Sequence, residues 1–266
     1  MVNTPPHRGS TRMKRSPLAI LVLVAMGAAA TVSAEDPAPP PYAVAAIASA
    51  DRPPADVARD GSRKPGALVT FATPKPSDQI ADIMPGGGYF TRTFSHVVGP
   101  GGHVYAMIPA ELAQVGPKAV DGAKALAGEP SFSNVTVLVQ PTAALATPQP
   151  LDVAWTSDNY HDLYGFFGAN QPACFDVAVF KMLKPVGVSI AIDHAAAAGA
   201  GGDRAKTLHR IDPAIVKAQV LAAGFIPQAE SSILANPDDP HSAAVFSPAI
   251  RRHTDQFVLR FRKPKS

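Results

Sequence analysis

The sequence predicts an α/β domain built on a doubly wound, mostly parallel sheet. Three observations predict it: apolar strand-like segments alternate with helical ones, one stretch has the order strand, glycine loop, helix, strand, and polar residues gather where the predicted strands end. Strands that alternate with helices favour parallel pairing, with helices on both faces of the sheet. The 266 residues, 46% of them apolar, suffice for one large domain of this class or two small ones.

The predicted βαβ unit lies in residues 79–109, QIADIMPGGGYFTRTFSHVVGPGGHVYAMIP. Residues 80–84 form its first strand, 85–88 the glycine loop, 89–98 the helix and 103–108 the second strand. The first loop of such a unit holds a nucleotide-like ligand, because glycine lets the ligand approach the backbone and permits positive φ. A plain tight turn would also use these glycines, and the flanking strands and helix favour the ligand-binding interpretation.

The remaining segments continue the alternation. Asp212 and Pro213 begin one helix as N-cap and first-turn proline, and Gly224 follows its end. Two further helices are predicted at 111–126 and 172–183. The further predicted strands are 135–139, 151–156, 188–192, 226–233 and 257–262.

The N-terminal residues 1–34 have the pattern of a cleavable signal peptide. A basic region precedes the apolar run 18–30, and the small residues Val32-Ser33-Ala34 predict cleavage after Ala34. The apolar run is short for a bilayer span, so no membrane segment is expected in the mature chain. We therefore expect an exported, periplasmic protein.

Charge excludes one class of partner. Of the 24 basic residues, four lie in the leader, which has no acidic residue before Ala34, so the rest of the chain carries 20 basic and 21 acidic residues and a net charge of −1. No nucleic-acid surface is expected from that balance. The one cysteine, Cys174, excludes an internal disulfide.

Between the leader and the domain, residues 35–54 are rich in Pro and Ala and predict a linker or loosely attached arm. The domain is expected to occupy residues 55–266, with one or two short helices before the first strand. Near its start, Arg59 and Arg63 lie close to other charged residues, and a solvated charged face is expected there.

Polar residues follow the ends of several predicted strands. Because ligands bind beyond the carboxyl ends of the strands in open α/β sheets, we expect these residues to form a site at one edge. The residues are Asp82 and the glycines after the first strand, Asp158, Asn159, His161 and Asp162 after the fourth, Asp193 and His194 after the fifth, and His209, Arg210 and Asp212 before the helix at 213.

The chemistry favoured for this edge is general-base catalysis by His161. Adjacent side chains of an extended chain point apart, so Asp158 or Asp193 is favoured over Asp162 as the carboxylate that orients the imidazole. His194 completes the set of candidate catalytic residues.

Two other chemistries remain open at the same edge. A metal site would draw on the side chains of His161, Asp162, Asp193, His194 and His209. No His-x-x-x-His spacing supports it, and no metal ligand is assigned. A Ser-His-Asp hydrolase would need a Gly-x-Ser-x-Gly elbow, which the sequence lacks. The polar segments 238–241 and 251–256 are expected to be loops.

Six segments together carry a family resemblance. The chain resembles class I S-adenosylmethionine-dependent methyltransferases, and more narrowly a group of predicted exported bacterial methyltransferases, over roughly residues 55–264. The resemblance implies a Rossmann-like sheet of seven strands with an antiparallel C-terminal strand, and S-adenosylmethionine as cofactor. The segments are DIMPGGG at 82–88, NYHDL at 159–163, LKPVG at 183–187, DHA at 193–195, HRID at 209–212 and TDQF at 254–257.

The first motif of the family implies the residues that hold the cofactor. Asp82, Gly86 and Gly88 match its acidic residue and alternate glycines, with Gly87 between them, whereas Met84 replaces its first glycine.

Two later positions depart from the family. Ile108 stands where a carboxylate usually binds the ribose hydroxyls, a strong and specific pairing that isoleucine cannot make. Glu111 is expected to reach towards the ribose from the start of the following helix. Gln140, at the end of the third strand, stands where an acidic residue near the adenine is common, and its amide could accept a hydrogen bond from the adenine amine.

The expected function is therefore that of an exported methyltransferase that binds a small-molecule ligand and methylates an unidentified acceptor. His161 would deprotonate the acceptor, and Asp158 would orient the His161 side chain. The alternative is a non-methylating envelope protein with a degenerate cofactor pocket, which binds a small molecule or metal through the His and Asp residues. Ile108 and the leader favour this alternative, and the glycine loop favours the enzyme.

Overall fold

The computed structural model describes residues 38–167 and 171–265, together with Met1. The predicted signal peptide, with its cleavage after Ala34, otherwise lies outside the described residues. Asp36–Ser266 forms one compact unit. It contains the whole sheet and both apolar layers described below, so it has the core that an independently folding domain needs.

Helices cover both faces of the sheet. Within the described residues they are α1 (Pro41–Ile47), α2 (Pro54–Val57), α3 (Asp60–Arg63), α4 (Pro65–Ala72), α5 (Tyr89–Val98), α6 (Ala110–Val115), α7 (Pro117–Ala127), α8 (Tyr160–Gly165), α9 (Gln171–Met182), α10 (Ala205–Leu208) and α11 (Pro213–Ala222). None of these helices is long and apolar enough to span a bilayer.

The sheet has seven strands in the described residues, in the order β3-β2-β1-β4-β5-β7-β6. β7 pairs antiparallel with both β5 and β6, and the other pairs are parallel, which confirms the predicted fold class. The strands are β1 (Gln79–Ile83), β2 (His103–Pro109), β3 (Val135–Gln140), β4 (Leu151–Ser157), β5 (Leu183–His194), β6 (Ile226–Ser231) and β7 (Gln256–Arg262).

The strand order reverses between β1 and β4. From β1 the chain builds outward through β2 and β3, then returns to place β4 on the other side of β1. The connections that leave β1 and β4 therefore diverge, and a crevice opens above their carboxyl ends. This is the position at which doubly wound sheets bind ligands.

Strand alternation divides the core into two apolar layers. Ile80 and Ala81, which are consecutive in β1, belong to opposite layers. The layer beneath α5 contains Trp155, whose ring centroid lies 4.6 Å from that of Phe90 and 5.1 Å from that of Phe94. Because aromatic side chains bury large areas, this trio fixes α5, and hence the end of the glycine loop, against β4.

Residues 38–54 pack on the domain, whereas the sequence predicts a linker there. Pro41 begins α1, and the small side chains of Ala43 and Ala46 are buried against the core. The Tyr42 hydroxyl donates to the Pro74 carbonyl at 2.9 Å. Ala43 and Ala46, spaced at i and i+3, form an apolar face of α1. The Pro- and Ala-rich composition of the segment does not by itself indicate this face.

Two other elements differ from expectation. The predicted helix 111–126 is divided into α6 and α7 at Gly116 and Pro117, because proline begins the second helix and cannot continue the first. β5 is longer than the predicted strand 188–192, since it also includes the Leu-Lys-Pro-Val-Gly segment that pairs at Leu183 with β4.

Gly102 provides a test of the turn between α5 and β2. A Cβ at this position would lie 2.6 Å from the Asp78 carbonyl oxygen and 2.5 Å from Val98 Cβ. We expect Gly102→Ala to lower the free energy of unfolding of residues 36–266 by about 1–3 kcal/mol, the usual cost of overpacking.

The control is Gly122→Ala on the exposed surface of α7, where an added Cβ meets no atom within 4 Å. It should gain up to about 1 kcal/mol from helix propensity. Urea denaturation of the three proteins checks both values, and equal midpoints for Gly102→Ala and the parent would contradict the packing described here.

Candidate functional site

A cavity of about 320 Å³ lies at the carboxyl ends of β1, β2 and β4, at the reversal of strand order. Its wall includes Gly86 and Gly87 of the glycine loop, Ile108 at the end of β2, and Asp158 after β4. The volume is at the lower end of the range for small-molecule sites.

The glycine loop adopts the conformation that its sequence predicts. Gly86 has φ 55° and Gly88 has φ 79°, a region that side-chain-bearing residues rarely enter. A Cβ at Gly86 or Gly87 would meet nothing within 4 Å, so the loop presents open backbone to the cavity. Gly88 instead caps α5, and its added Cβ would lie 2.5 Å from Leu126 Cδ1.

Met84, which stands in place of the first glycine of the motif, has φ 57°. A residue other than glycine in this region costs on the order of 1–3 kcal/mol and persists where its surroundings hold it. Met84 N donates to Met107 O at 2.8 Å, and the Asn159 side chain donates to Met84 O at 2.9 Å. The strained residue is thus held by β2 on one side and by the segment after β4 on the other.

Asn159 spans the point where the strand order reverses. Its Nδ2 donates to the carbonyls of Met84 and Ser157, each at 2.9 Å, and its Oδ1 accepts from Thr156 Oγ1. The side chain is buried and lines the cavity. The sequence places Asn159 at this edge but predicts no role for it, because nothing in the sequence shows that this amide reaches across to β1.

Asp82 lies beneath the glycine loop at the end of β1. It is 3% exposed, lines the cavity and accepts a hydrogen bond from Thr91 Oγ1 at 2.6 Å. Burial raises the pKa of its carboxyl to about 6, although the Thr91 bond acts in the opposite direction.

His161 lies in the first turn of α8 and is held by Asp193 at the end of β5. Its Nδ1 is 2.8 Å from Asp193 Oδ1, and its backbone N donates to Asp193 Oδ2 at 2.7 Å. Its Nε2 lies 3.2 Å from Asp162 Oδ1 and 3.2 Å from His209 Nδ1. Because residues 160–165 form a helix, Asp162 contacts His161, contrary to the expectation for an extended chain.

Charge dominates the protonation of His161. Burial acts to lower the pKa of the imidazole, but Asp193 and Asp162 outweigh it and raise the pKa to about 10. The same pairing lowers the pKa of the Asp193 carboxyl, against the effect of its burial. His161 is 3% exposed and both ring nitrogens are engaged. The geometry therefore offers no free nitrogen of the kind that the general-base prediction requires.

The sequence favours Asp158 or Asp193 as the carboxylate that orients His161, and Asp158 is engaged elsewhere. Its carboxylate accepts from Arg63 Nη2 at 2.8 Å and from Gln256 Nε2. It lines the cavity, so its contacts join α3 and β7 at the cavity wall. Asp193 has the orienting role instead.

His194 lies near this group without joining it. Its ring centroid is 6.2 Å from that of His161, and its Nδ1 lies 2.7 Å from Thr254 Oγ1. Burial lowers the pKa of its imidazole. His194 is not among the described residues that line the cavity.

Glu111 and Gln140 point away from the cavity. The Glu111 carboxylate accepts from the backbone N and Oγ1 of Thr142 at 3.2 and 3.0 Å, and Gln140 Oε1 accepts from Ala146 N at 2.9 Å. Glu111 therefore does not supply the ribose-binding carboxylate that is absent at position 108. In the described part of the chain, the carboxylates that line the cavity are Asp82, Asp158 and Asp162.

Arg59 and Arg63 line the cavity, whereas the sequence predicts a solvated charged face for them. Their guanidinium carbons lie 5.5 and 5.1 Å from the centroid of the Tyr89 ring. Arg59 directly precedes α3 and Arg63 ends it, and this spacing of four residues, visible in the sequence, places both on one side of the helix. Their partners, Tyr89 and Asp158, are far along the chain, so the spacing does not show where they point.

Two buried anchors position the residues around His161. Tyr160 donates from its hydroxyl to Asp176 Oδ2 at 2.7 Å, which fixes α8 against α9. Arg210, wholly buried, lies 2.8 Å from Asp239 and donates to the carbonyls of Ala195 and Ala243 at 2.9 Å. Breaking a buried pair of this kind costs about 3–5 kcal/mol, so Arg210 holds the adjacent His209 firmly.

Comparison with known proteins establishes the fold. No protein-family model matches the chain, and no curated protein matches it. Among solved structures, a SAM-dependent methyltransferase from Aquifex aeolicus is 17% identical, with a TM-score of 0.54 over 79% of this chain and 93% of that one. The glycopeptide N-methyltransferase MtfA complexed with S-adenosyl-L-methionine is 14% identical, with a TM-score of 0.51 over 77% and 87%.

The cyclase SpnF is also similar, at 18% identity and a TM-score of 0.56 over 80% of this chain and 82% of that one. Likeness at such low identity shows the fold. The chain therefore has the fold of class I S-adenosylmethionine-dependent methyltransferases, as the sequence predicts. A fold of this kind hosts more than one activity, so the function depends on the site.

The Tyr160–Asp176 anchor predicts a pH-dependent stability. Burial raises the pKa of the Asp176 carboxyl to about 7. Because the unfolded chain loses this proton near pH 4 and the folded chain near pH 7, stability falls as pH rises between these values, by on the order of 4 kcal/mol. Asp176→Asn can still accept from Tyr160 and has no proton to lose.

We therefore expect the stability of Asp176→Asn relative to the parent to be greater at pH 8 than at pH 5. Urea denaturation at both values measures it, with Asp121→Asn on the exposed face of α7 as the control that should show no such change. A relative stability of Asp176→Asn that is equal at the two pH values would contradict the raised pKa.

Proposed function

We propose that this protein is an exported S-adenosylmethionine-dependent methyltransferase that binds its cofactor in the cavity above β1, β2 and β4. The observation that carries the proposal is the glycine loop at the strand-order reversal. Gly86 and Gly87 leave the backbone open there, beside a cavity of about 320 Å³. A Cβ-free loop at this position is the feature by which doubly wound folds admit a nucleotide-like ligand.

The charges of the cavity wall complement those of the cofactor. S-adenosylmethionine carries a carboxylate, an ammonium and a sulfonium. Arg59, a guanidinium on the wall, would receive the carboxylate, and Asp158 and Asp162 would face the positive groups. MtfA, which has a similar fold, is complexed with S-adenosyl-L-methionine, and this supports the choice of S-adenosylmethionine as the cofactor.

The part of the cavity that would hold the adenosine of the cofactor has fewer complementary groups. Ile108, 1% exposed, and Leu112 form an apolar wall where the family places a carboxylate, and Glu111 is engaged with Thr142. The purine and ribose would thus be held by apolar contact without the paired hydrogen bonds to the diol. The affinity should be lower than that of a site with the carboxylate.

The same observation favours a second candidate, a non-methylating envelope protein with a degenerate cofactor pocket. Ile108 cannot bind a diol, and the similarity to the cyclase SpnF shows that this fold is not restricted to methyltransferases. Export would also separate the protein from the cytoplasmic cofactor.

Chemistry at this site would depend on positioning. Methyl transfer is an in-line displacement, and fixing donor and acceptor at the correct distance supplies much of the rate. The role of base is not assigned to His161, since both of its ring nitrogens are engaged. The exported location rests on the signal-peptide pattern of residues 1–34.

Calorimetric titration with S-adenosylhomocysteine tests the proposal. We expect residues 36–266 to bind it with a micromolar Kd, roughly −8 kcal/mol. Gly87→Leu should abolish binding, because the leucine side chain would occupy part of the cavity that Gly87 lines. The variant should fold, since Gly87 does not have positive φ and an added Cβ would meet no atom within 4 Å. Gly122→Leu, on the exposed face of α7, is the size-matched control and should bind like the parent.

Absence of binding to the parent protein would overturn the cofactor assignment and favour the degenerate-pocket alternative. Equal binding by Gly87→Leu and the parent would show that the ligand lies outside this cavity. Urea denaturation confirms that each variant is folded before titration.

A further inference from the structure

Three side-chain atoms converge beside the cavity, from residues that we name the His-Asp cluster: His161, Asp162 and His209. His161 and Asp162 lie in the first turn of α8, and His209 directly follows α10. His161 Nε2 lies 3.2 Å from both Asp162 Oδ1 and His209 Nδ1, and the last two atoms are 3.9 Å apart. All three atoms lie within 4.8 Å of one another, so one ion could contact all of them.

These separations match the coordination shell of a small divalent ion. An ion that binds nitrogen and oxygen tetrahedrally at about 2.0–2.1 Å holds its ligand atoms about 3.3 Å apart. Two of the three separations in the cluster are within about 0.2 Å of that value. Two imidazoles and one carboxylate form a donor set typical of catalytic zinc sites and related transition-metal sites, which keep a further position open.

Asp193 supplies the support that metal-binding histidines usually have. Its carboxylate, wholly buried, accepts from Nδ1 of His161 at 2.8 Å, so the Nε2 atom is directed at the cluster. A carboxylate on the far nitrogen fixes both the tautomer and the ring orientation of a ligating histidine. Asp193 also accepts from the backbone N of His161, which fixes the start of α8.

The cluster is open to solvent on one side. The side chains of Asp162 and His209 are 24% and 26% exposed, so an ion could enter without unfolding the site. Asp162 also lines the cavity, which places the cluster at the cavity wall. His194 is excluded as a ligand, because its Nδ1 is engaged with Thr254 and its ring lies 6.2 Å from that of His161.

We propose that the His-Asp cluster binds one divalent transition-metal ion, with zinc as the first candidate, through His161 Nε2, His209 Nδ1 and Asp162 Oδ1. Asp193 orients His161 from behind, and the remaining coordination position faces solvent at the cavity wall. The two proposals share Asp162, which lines the cavity, but the metal site is argued from its own three ligand atoms and does not rest on the proposed methyltransferase function.

Zinc titration tests the proposal. Untagged residues 36–266 are stripped with EDTA and titrated with Zn²⁺ in a calorimeter, without any nucleoside present. We expect one ion per chain. Asp162→Asn and His209→Gly should each weaken binding by at least about tenfold, in line with the losses seen when supports of metal sites are removed. Glycine is chosen at residue 209 because His209 has φ 54°.

The matched control is His241→Gly. His241 also has a positive φ, of 58°, a side chain that is 27% exposed, and a carboxylate partner, Asp255, at 2.9 Å. It lies outside the cluster, so its replacement should leave zinc affinity unchanged. Co²⁺ gives a second readout: the visible absorption of the ion bound at low coordination number should appear with the parent and be lost in Asp162→Asn.

Absence of stoichiometric binding to the parent would mean that the cluster is an internal hydrogen-bond network only. Equal affinity of parent, Asp162→Asn and His209→Gly would place any bound ion elsewhere, and an equal loss in His241→Gly would show a non-specific effect. Each of these results overturns the proposal. None of them bears on S-adenosylhomocysteine binding, which is measured separately.

Discussion

One buried carboxylate, Asp193, organises the side of the site formed by β5 and α8. It has no exposed surface, and a charge in that position is tolerated only when hydrogen bonds replace the lost water. Three bonds do so, from the backbone N and Nδ1 of His161 and from the backbone N of His194. Because these donors belong to two different elements, satisfying the carboxylate fixes α8 on the end of β5. The orientation of the His161 ring, and the convergence of the His-Asp cluster, follow from that requirement.

The opposite side of the site depends on strain that is held in place. Met84 has positive φ where the family has glycine, and the amide of Asn159 together with β2 maintains it. The two sides meet across the reversal of strand order, where the cavity opens. A strained residue and a buried charge both cost stability, and burial of the two apolar layers of the core offsets that cost. This separation between supporting core and costly site is typical of functional sites.

The strands, the glycine loop and the edge where polar residues gather can be predicted from the sequence, because these depend on local periodicity and on residues with few allowed conformations. The partners of individual side chains cannot. Glu111 binds Thr142, 31 residues away, and Arg63 binds Asp158, 95 residues away. Such pairings are decided by packing angles that no local spacing records. The helical conformation of α8, in which Asp162 contacts His161, cannot be predicted from the sequence either. One or two turns of helix contain too few residues to show a hydrophobic period.

The position of β7 determines when this sheet can be completed. β7 is formed by Gln256–Arg262, yet it lies between β5 and β6, and it is the only strand with which β6 pairs among the described residues. A chain that emerges N-terminus first, from a ribosome or through a membrane pore, cannot pair β6 within the sheet until residues 256–262 have appeared. Gln256 of the same strand also donates to Asp158 at the cavity wall. Closure of the sheet and completion of the site are thus one late event, and a chain that stops short of residue 256 would have neither.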